Sequence, residues 1–190
     1  MPSWGWTLIV GFAAVVVLAV LVAGAFMLSG RRKSERLKRH FGDEYERTVS
    51  EVGDQKAAEE ELASRQRRHD KLELVALPPT VAASFSDRWL QLQKTFVDDP
   101  AGAVGTADVL VTEVMQERGY PVDDFEQRAA DISVDHPNIV ENYRAAHAIH
   151  LAQQSADVGT EQQRQAFVHY RALFETLLET KSDTAQEASA

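Results

Sequence analysis

Three histidines are the first residues whose type and spacing invite chemistry. His147 and His150 stand three positions apart, which on a helix puts both rings on one face, and His169 lies on the next helical stretch. Imidazoles so placed are the usual beginning of a zinc site, but a site needs further ligands. Neither the Glu-x-x-His pairs of di-iron bundles nor a His-Glu-x-x-His helix occurs in the chain. The three rings are therefore expected as hydrogen-bonded or solvated side chains, with metal ligation as the lesser alternative. No metal and no cofactor is expected.

Carboxylates give a similar answer. Asp98 with Asp99, and Asp123 with Asp124, are adjacent pairs, whereas acid–base catalysis wants two carboxylates held in unlike environments within a cleft. Adjacent aspartates ahead of helical stretches read better as caps and partners of the helix dipole. A nucleophile elbow, a Walker loop and a dinucleotide fingerprint are all missing from the sequence. There is no cysteine, which excludes disulfides, thiolate chemistry and Cys-ligated zinc or iron–sulfur. Catalysis is not expected.

Arginines beside aromatic rings form a third set: Arg88 with Trp89, Arg144 with Tyr143 and Arg171 with Tyr170. Such neighbours bury area with few flexible bonds, so Arg88, Arg144 and Arg171 are candidates for a protein interface. The three rings also fall on apolar helical stripes, and core packing with outward-reaching arginines is the plainer expectation.

The elements that would position these residues are helices. Phe85, Trp89, Leu92 and Phe96 recur at helical spacing up to Asp99-Pro100, a cap followed by a first-turn proline. The next stretch runs to Gly119-Tyr120-Pro121. A shorter one follows with Val122, Phe125, Ala129 and Ile132, and another opens near His136-Pro137. The last opens with a capping-box pattern at Thr160 and Gln163 and carries Phe167, Tyr170, Leu173, Phe174 and Leu177. Five amphipathic segments joined by short turns predict an all-α bundle over residues 77–179. Leu77-Pro78-Pro79 marks its boundary, and residues 180–190 are expected as a disordered tail.

Ahead of the bundle lies a polarity of composition. Residues 7–28 carry no charged side chain and, at 1.5 Å per residue, reach about 33 Å, enough for a transmembrane helix. Residues 1–6 are then a short extracytoplasmic N-terminus with Trp4 and Trp6 at the interface. Directly after the span come Arg31, Arg32, Lys33, Arg36, Lys38 and Arg39, a basic collar suited to anionic lipid head groups and to the cytoplasmic side of a cell inner membrane. Residues 41–190 hold 14 Lys/Arg against 28 Asp/Glu, an acidic balance unsuited to nucleic acid. Residues 29–76 are read as a basic juxtamembrane helix with a stripe over 34–52, weakened by Gly42 and Gly53, and then a charged solvated helix or stalk from Gln55 to Leu74. A cleaved export signal ending at Ala23-Gly24-Ala25 is the competing reading of the N-terminus.

Several strings taken together, Phe96-Val97-Asp98-Asp99-Pro100, Arg118-Gly119-Tyr120-Pro121, Ser133-Val134-Asp135-His136-Pro137, Glu141-Asn142-Tyr143-Arg144-Ala145-Ala146-His147 and His169-Tyr170-Arg171-Ala172-Leu173-Phe174, resemble an uncharacterised family of small bacterial, actinobacterial-type membrane-anchored or secreted hypothetical proteins. The likeness spans roughly residues 31–180. It implies a layout and no activity.

The expectation is thus a single-pass, membrane-anchored all-α protein whose bundle is a non-catalytic docking or scaffolding module on the cytoplasmic face, with the lipid bilayer and an unidentified protein as partners. The alternative is an exported, envelope-side helical domain with a sensing or binding role. A tethered enzyme would need His147, His150 and His169 to converge.

Overall fold

Glycine and proline set most of the breaks between helices. The computed structural model describes residues 33–156 and 158–179. Residues 33–41 are helical and form α1. Gly42, with φ +54°, breaks the amphipathic stripe that the sequence runs continuously to Val52, and α2 (Asp43–Val52) departs in a new direction. Gly53, with φ +74°, ends α2 as a left-handed cap, and Asp54 accepts from the Ala57 amide to start α3 (Gln55–His69). After a coil come α4 (Pro79–Asp98), α5 (Pro100–Glu117), α6 (Phe125–Asp135), α7 (Val140–Ala152) and α8 (Thr160–Leu178). The described residues contain no strand.

Two of the aspartate caps form as the sequence predicts. Asp99 Oδ1 accepts from the Gly102 amide at 2.9 Å, and Asp124 Oδ1 from the Gln127 amide at 2.8 Å. The capping box at Thr160 does not form. Extended Gly159 is the cap, its carbonyl takes the amides of Gln162 and Gln163, and Gln163 is buried instead of reaching back.

α8 packs along both α5 and α7, with α4 on the flank of α5 and α6 leading into α7. Trp89 lies between Phe167 and Phe174 of α8, its ring stacked at 4.9 and 4.7 Å between centroids. Val104, Val111, Val114, Met115, Tyr143, Tyr170 and Leu173 complete a core closed to solvent. A second, smaller core joins Leu37, Phe41, Tyr45 and Leu62 to Val134 of α6.

The membrane architecture is corrected. Among the described residues no helix is long and apolar enough to cross a membrane. The longest, α4, buries one apolar face on its neighbours and carries Asp87, Arg88, Lys94 and Asp98 elsewhere. The fold class over the described residues is accordingly an all-α helical bundle with no transmembrane helix among them, and the single-pass, inner-membrane placement is not supported. Residues 7–28, which prompted that expectation, lie outside the described residues, as do 1–6 and the tail 180–190.

The charged helix expected as a solvated stalk is packed instead. α3 ends at His69, short of Leu74, lies against α2 and α6, and buries Ala58, Leu62 and Arg65. Residues 72–77 then run as a strap over the bundle: Leu77 is buried, and the Val75 amide donates to the Arg118 carbonyl at 3.0 Å. Gly119 makes that approach possible. Its φ is +91°, and a Cβ there would meet the Glu73 carbonyl oxygen at 2.8 Å. Gly119→Ala is expected to cost about 1–3 kcal/mol, through both left-handed backbone strain and displacement of the strap. Urea unfolding of the variant against wild type checks this.

Candidate functional site

Three polar clusters tie the helices together, and each takes up residues that sequence singled out or overlooked. The first joins α5, α7 and α8. Asp108 of α5 accepts from the Tyr170 hydroxyl at 2.8 Å and lies 3.4 Å from His147 Nδ1. Burial by itself would raise the Asp108 carboxyl, but the hydrogen bonds from His147 and Tyr170 outweigh it and hold the group below its ordinary value. Burial, together with the charge of Asp108, pushes the Tyr170 hydroxyl well up, so it stays a donor. His147 stacks face to face on Phe125 at 3.7 Å, and Arg128 donates to the Tyr143 hydroxyl at 3.0 Å on the same side.

His150 shares the His147 face, with ring centroids 6.0 Å apart, and its ring fits against Gly105 of α5. Its Nδ1 is buried without a hydrogen-bond partner. His169 is half-buried on α8. Among the described residues no three or more His, Asp or Glu side chains are grouped so as to hold a metal ion. Asp108 instead fixes the α5–α8 and α5–α7 contacts. With its carboxyl depressed in the fold, its stabilisation is present above the unfolded value near 3.8 and is lost as pH falls through the folded one. Asp108→Asn is expected to destabilise the bundle by about 1–3 kcal/mol at pH 7 and to leave less stability to lose on acidification. Denaturant midpoints at pH 7 and pH 3 test both.

The second cluster surrounds a carboxylate that sequence reasoning passed over. Glu44 of α2 has a side chain only 1% exposed and takes five hydrogen bonds from three guanidinium groups. Arg47 binds it with two nitrogens at 2.7 and 2.8 Å, Arg144 of α7 with two at 2.8 and 3.1 Å, and Arg65 of α3 with one at 2.7 Å. Burial favours the neutral acid, yet the hydrogen bonds and charges of Arg47 and Arg144 prevail and keep Glu44 below its ordinary value. Arg47 pairs also with Glu51, and Arg65 with Glu61, so three cations face three anions.

A cleft of about 310 Å³ opens beside this cluster. Arg47, Arg65, Arg68 and Arg144 line it, opposed by Glu51, Glu61, Asp124 and Glu126. That balance of charge gives no field to draw in an anion.

The third cluster sits where α3 ends. Asp135 of α6 is shared by His69 Nε2 at 2.8 Å and the Tyr120 hydroxyl at 2.7 Å. Burial would raise Asp135, but the hydrogen bonds from His69 and Tyr120 bring it down to about 2. The same bond raises His69 above its ordinary value. Burial raises Asp131, and burial together with the charges of Arg118 and His69 lowers His136.

Of the interface candidates, the structure separates all three. Arg144 is not an outward side chain: it closes the Glu44 cluster with 15% of its side chain exposed. Arg88 pairs with Glu113 at 2.5 Å and Arg171 with Glu175 at 3.7 Å, both near half exposed, where ion pairs contribute about 0–1 kcal/mol. Trp89, Tyr143 and Tyr170 are core residues. In the basic collar, Lys33, Arg36, Lys38 and Arg39 are exposed on α1 while Leu37 and Phe41 turn inward, and Lys38 pairs with Glu46 at 3.4 Å. Arg31 and Arg32 lie outside the described residues. Glu44 had a partial signal in the i,i+3 spacing to Arg47, but its partner 100 residues away had none.

Comparison with family models, with curated proteins and with solved structures finds no match for this chain.

Proposed function

We propose that this chain is a non-catalytic docking module, a helical scaffold on which another protein seats. The observation that carries the reading is the fate of the groups suited to chemistry. Asp108 with His147, Glu44 with its arginines and Asp135 with His69 each bridge helices distant in sequence, so these groups serve to hold the fold together. A nucleophile or base must instead keep a face free for a substrate. The outward side of α4 carries two large apolar side chains among polar and charged ones. Leu90 and Val97 are 53% and 81% exposed and stand two turns apart on one face, the spacing at which a partner helix reads its anchors.

Proximity labelling from a ligase fused to the chain tests the proposal. Wild type is expected to label a reproducible set of neighbours that a Leu90→Glu, Val97→Glu double variant loses while keeping its helix content. A neighbour set identical for wild type, the double variant and an unrelated acidic helical protein overturns it.

A further inference from the structure

The two apolar cores are separate clusters. The smaller one, formed by Leu37, Phe41, Tyr45 and Leu62 of α1–α3, meets the bundle at Val134 among the described residues. Around that contact two ion pairs cross the junction. Glu44 reaches across to Arg144, and His69 to Asp135. The chain joining the parts has a pivot and an anchor. Residues 69–72 make a tight turn in which the Lys71 amide bonds the Arg68 carbonyl and the Leu72 amide that of His69, and the strap behind it is fixed to the bundle through Val75, Leu77 and Gly119. Movement of α1–α3 would therefore concentrate at Asp70 and Lys71, next to the His69 contact.

We propose that α1–α3 form a releasable arm that turns about residues 70–71 and is clasped to the bundle by Glu44 on Arg144 and His69 on Asp135, so that loosening a clasp swings the arm off the α6–α7 face. Polar junctions between packed units move more readily than apolar ones, because water can replace each lost contact. Both clasps also depend on a proton.

His69 is faced by Asp131 and Asp135 from α6, by Asp70 from its own end and by Tyr120, which shares Asp135 from the α5–α6 turn. The nearby cations are Arg68 and Arg118, and the lowered His136 stands beside Asp135. The net result is a raised His69, so its clasp is complete below the ordinary value of 6.5 and weakens as pH rises through the folded one. Glu44 is faced by Arg47 from its own helix, Arg65 from α3 and Arg144 from α7, and it is lowered. Its clasp is complete above 4.5 and weakens as pH falls through the folded value. The arm is held best between those limits.

The full chain has no cysteine, so Lys56→Cys with Glu141→Cys places two unique spin labels at exposed positions, one on the arm and one on α7. Electron–electron distance measurements at pH 6 are expected to show one short population. By pH 9 a longer population should grow about five-fold, the upper end of what an ion pair open to solvent contributes. His69→Gln keeps an N–H for Asp135 but cannot titrate, and it should flatten the response between pH 6 and pH 9. Arg144→Gln should enlarge the open population at every pH. An unchanged single population in the labelled wild type from pH 6 to pH 9 overturns the proposal, as does a pH response that survives His69→Gln. Should Arg144→Gln lose helix content throughout, the other two comparisons decide.

Discussion

Glu44→Ala is expected to destabilise the protein by about 3–5 kcal/mol, the usual cost of removing one partner from a buried ion pair. The size follows from what is left behind. Arg47 and Arg65 keep Glu51 and Glu61, but Arg144, with its Nε already buried and unpartnered, would have no carboxylate within the cluster. Five charge-assisted hydrogen bonds vanish together, and three helices lose their common fastening. For a chain of 190 residues this corresponds to a fall in Tm of roughly 10 °C. Glu44→Gln should recover part of the loss, because the amide oxygen still accepts. A calorimetric shift below about 1 kcal/mol for Glu44→Ala would mean that the cluster is solvated and that its geometry contributes little.

Trp89→Ala is expected to cost a similar 3–5 kcal/mol, for a different reason. The indole is 5% exposed and fills the space between α4 and α8, stacked on Phe167 and Phe174, so truncation leaves a cavity that rigid helices cannot close. Trp89→Phe should cost much less. It keeps an aromatic surface for both stacks and removes Nε1, a buried donor with no acceptor, whose desolvation offsets part of the lost area. Chemical denaturation of the two variants separates cavity from polarity. If Phe proves as damaging as Ala, the indole nitrogen has an acceptor in solution.

The contrast between these residues explains how much could be read ahead of the fold. Trp89 announces itself, since an aromatic at i, i+4 and i+7 from other apolar residues has one place to go in a helical protein. The aspartate caps at Asp99 and Asp124 and the stop at Gly119 are legible for the same reason: each is decided within four residues of chain. Glu44 is silent because it sits on a stripe of polar and charged side chains, and its burial depends on Arg144 arriving from a helix 100 residues later. Arg144 reads in sequence as a cation beside an aromatic, but the direction it takes is set by Glu44. His147 reads in sequence as half of a histidine pair, and Asp108 and Phe125, from two other helices, decide where it is held.

Local sequence by itself determined that the chain folds into amphipathic helices, where most of them begin and end, and which aromatics form the core. Those properties follow from backbone hydrogen bonding and from the 3.6-residue period, both of which act over a few residues. Tertiary structure alone decided that α3 packs instead of standing free, that the Pro78-Pro79 break continues a strap fixed to the bundle, and that the charged residues pair across helices. Long-range charge pairing leaves no periodic trace in a sequence, because any arginine suits any carboxylate until the fold brings one pair within 3 Å.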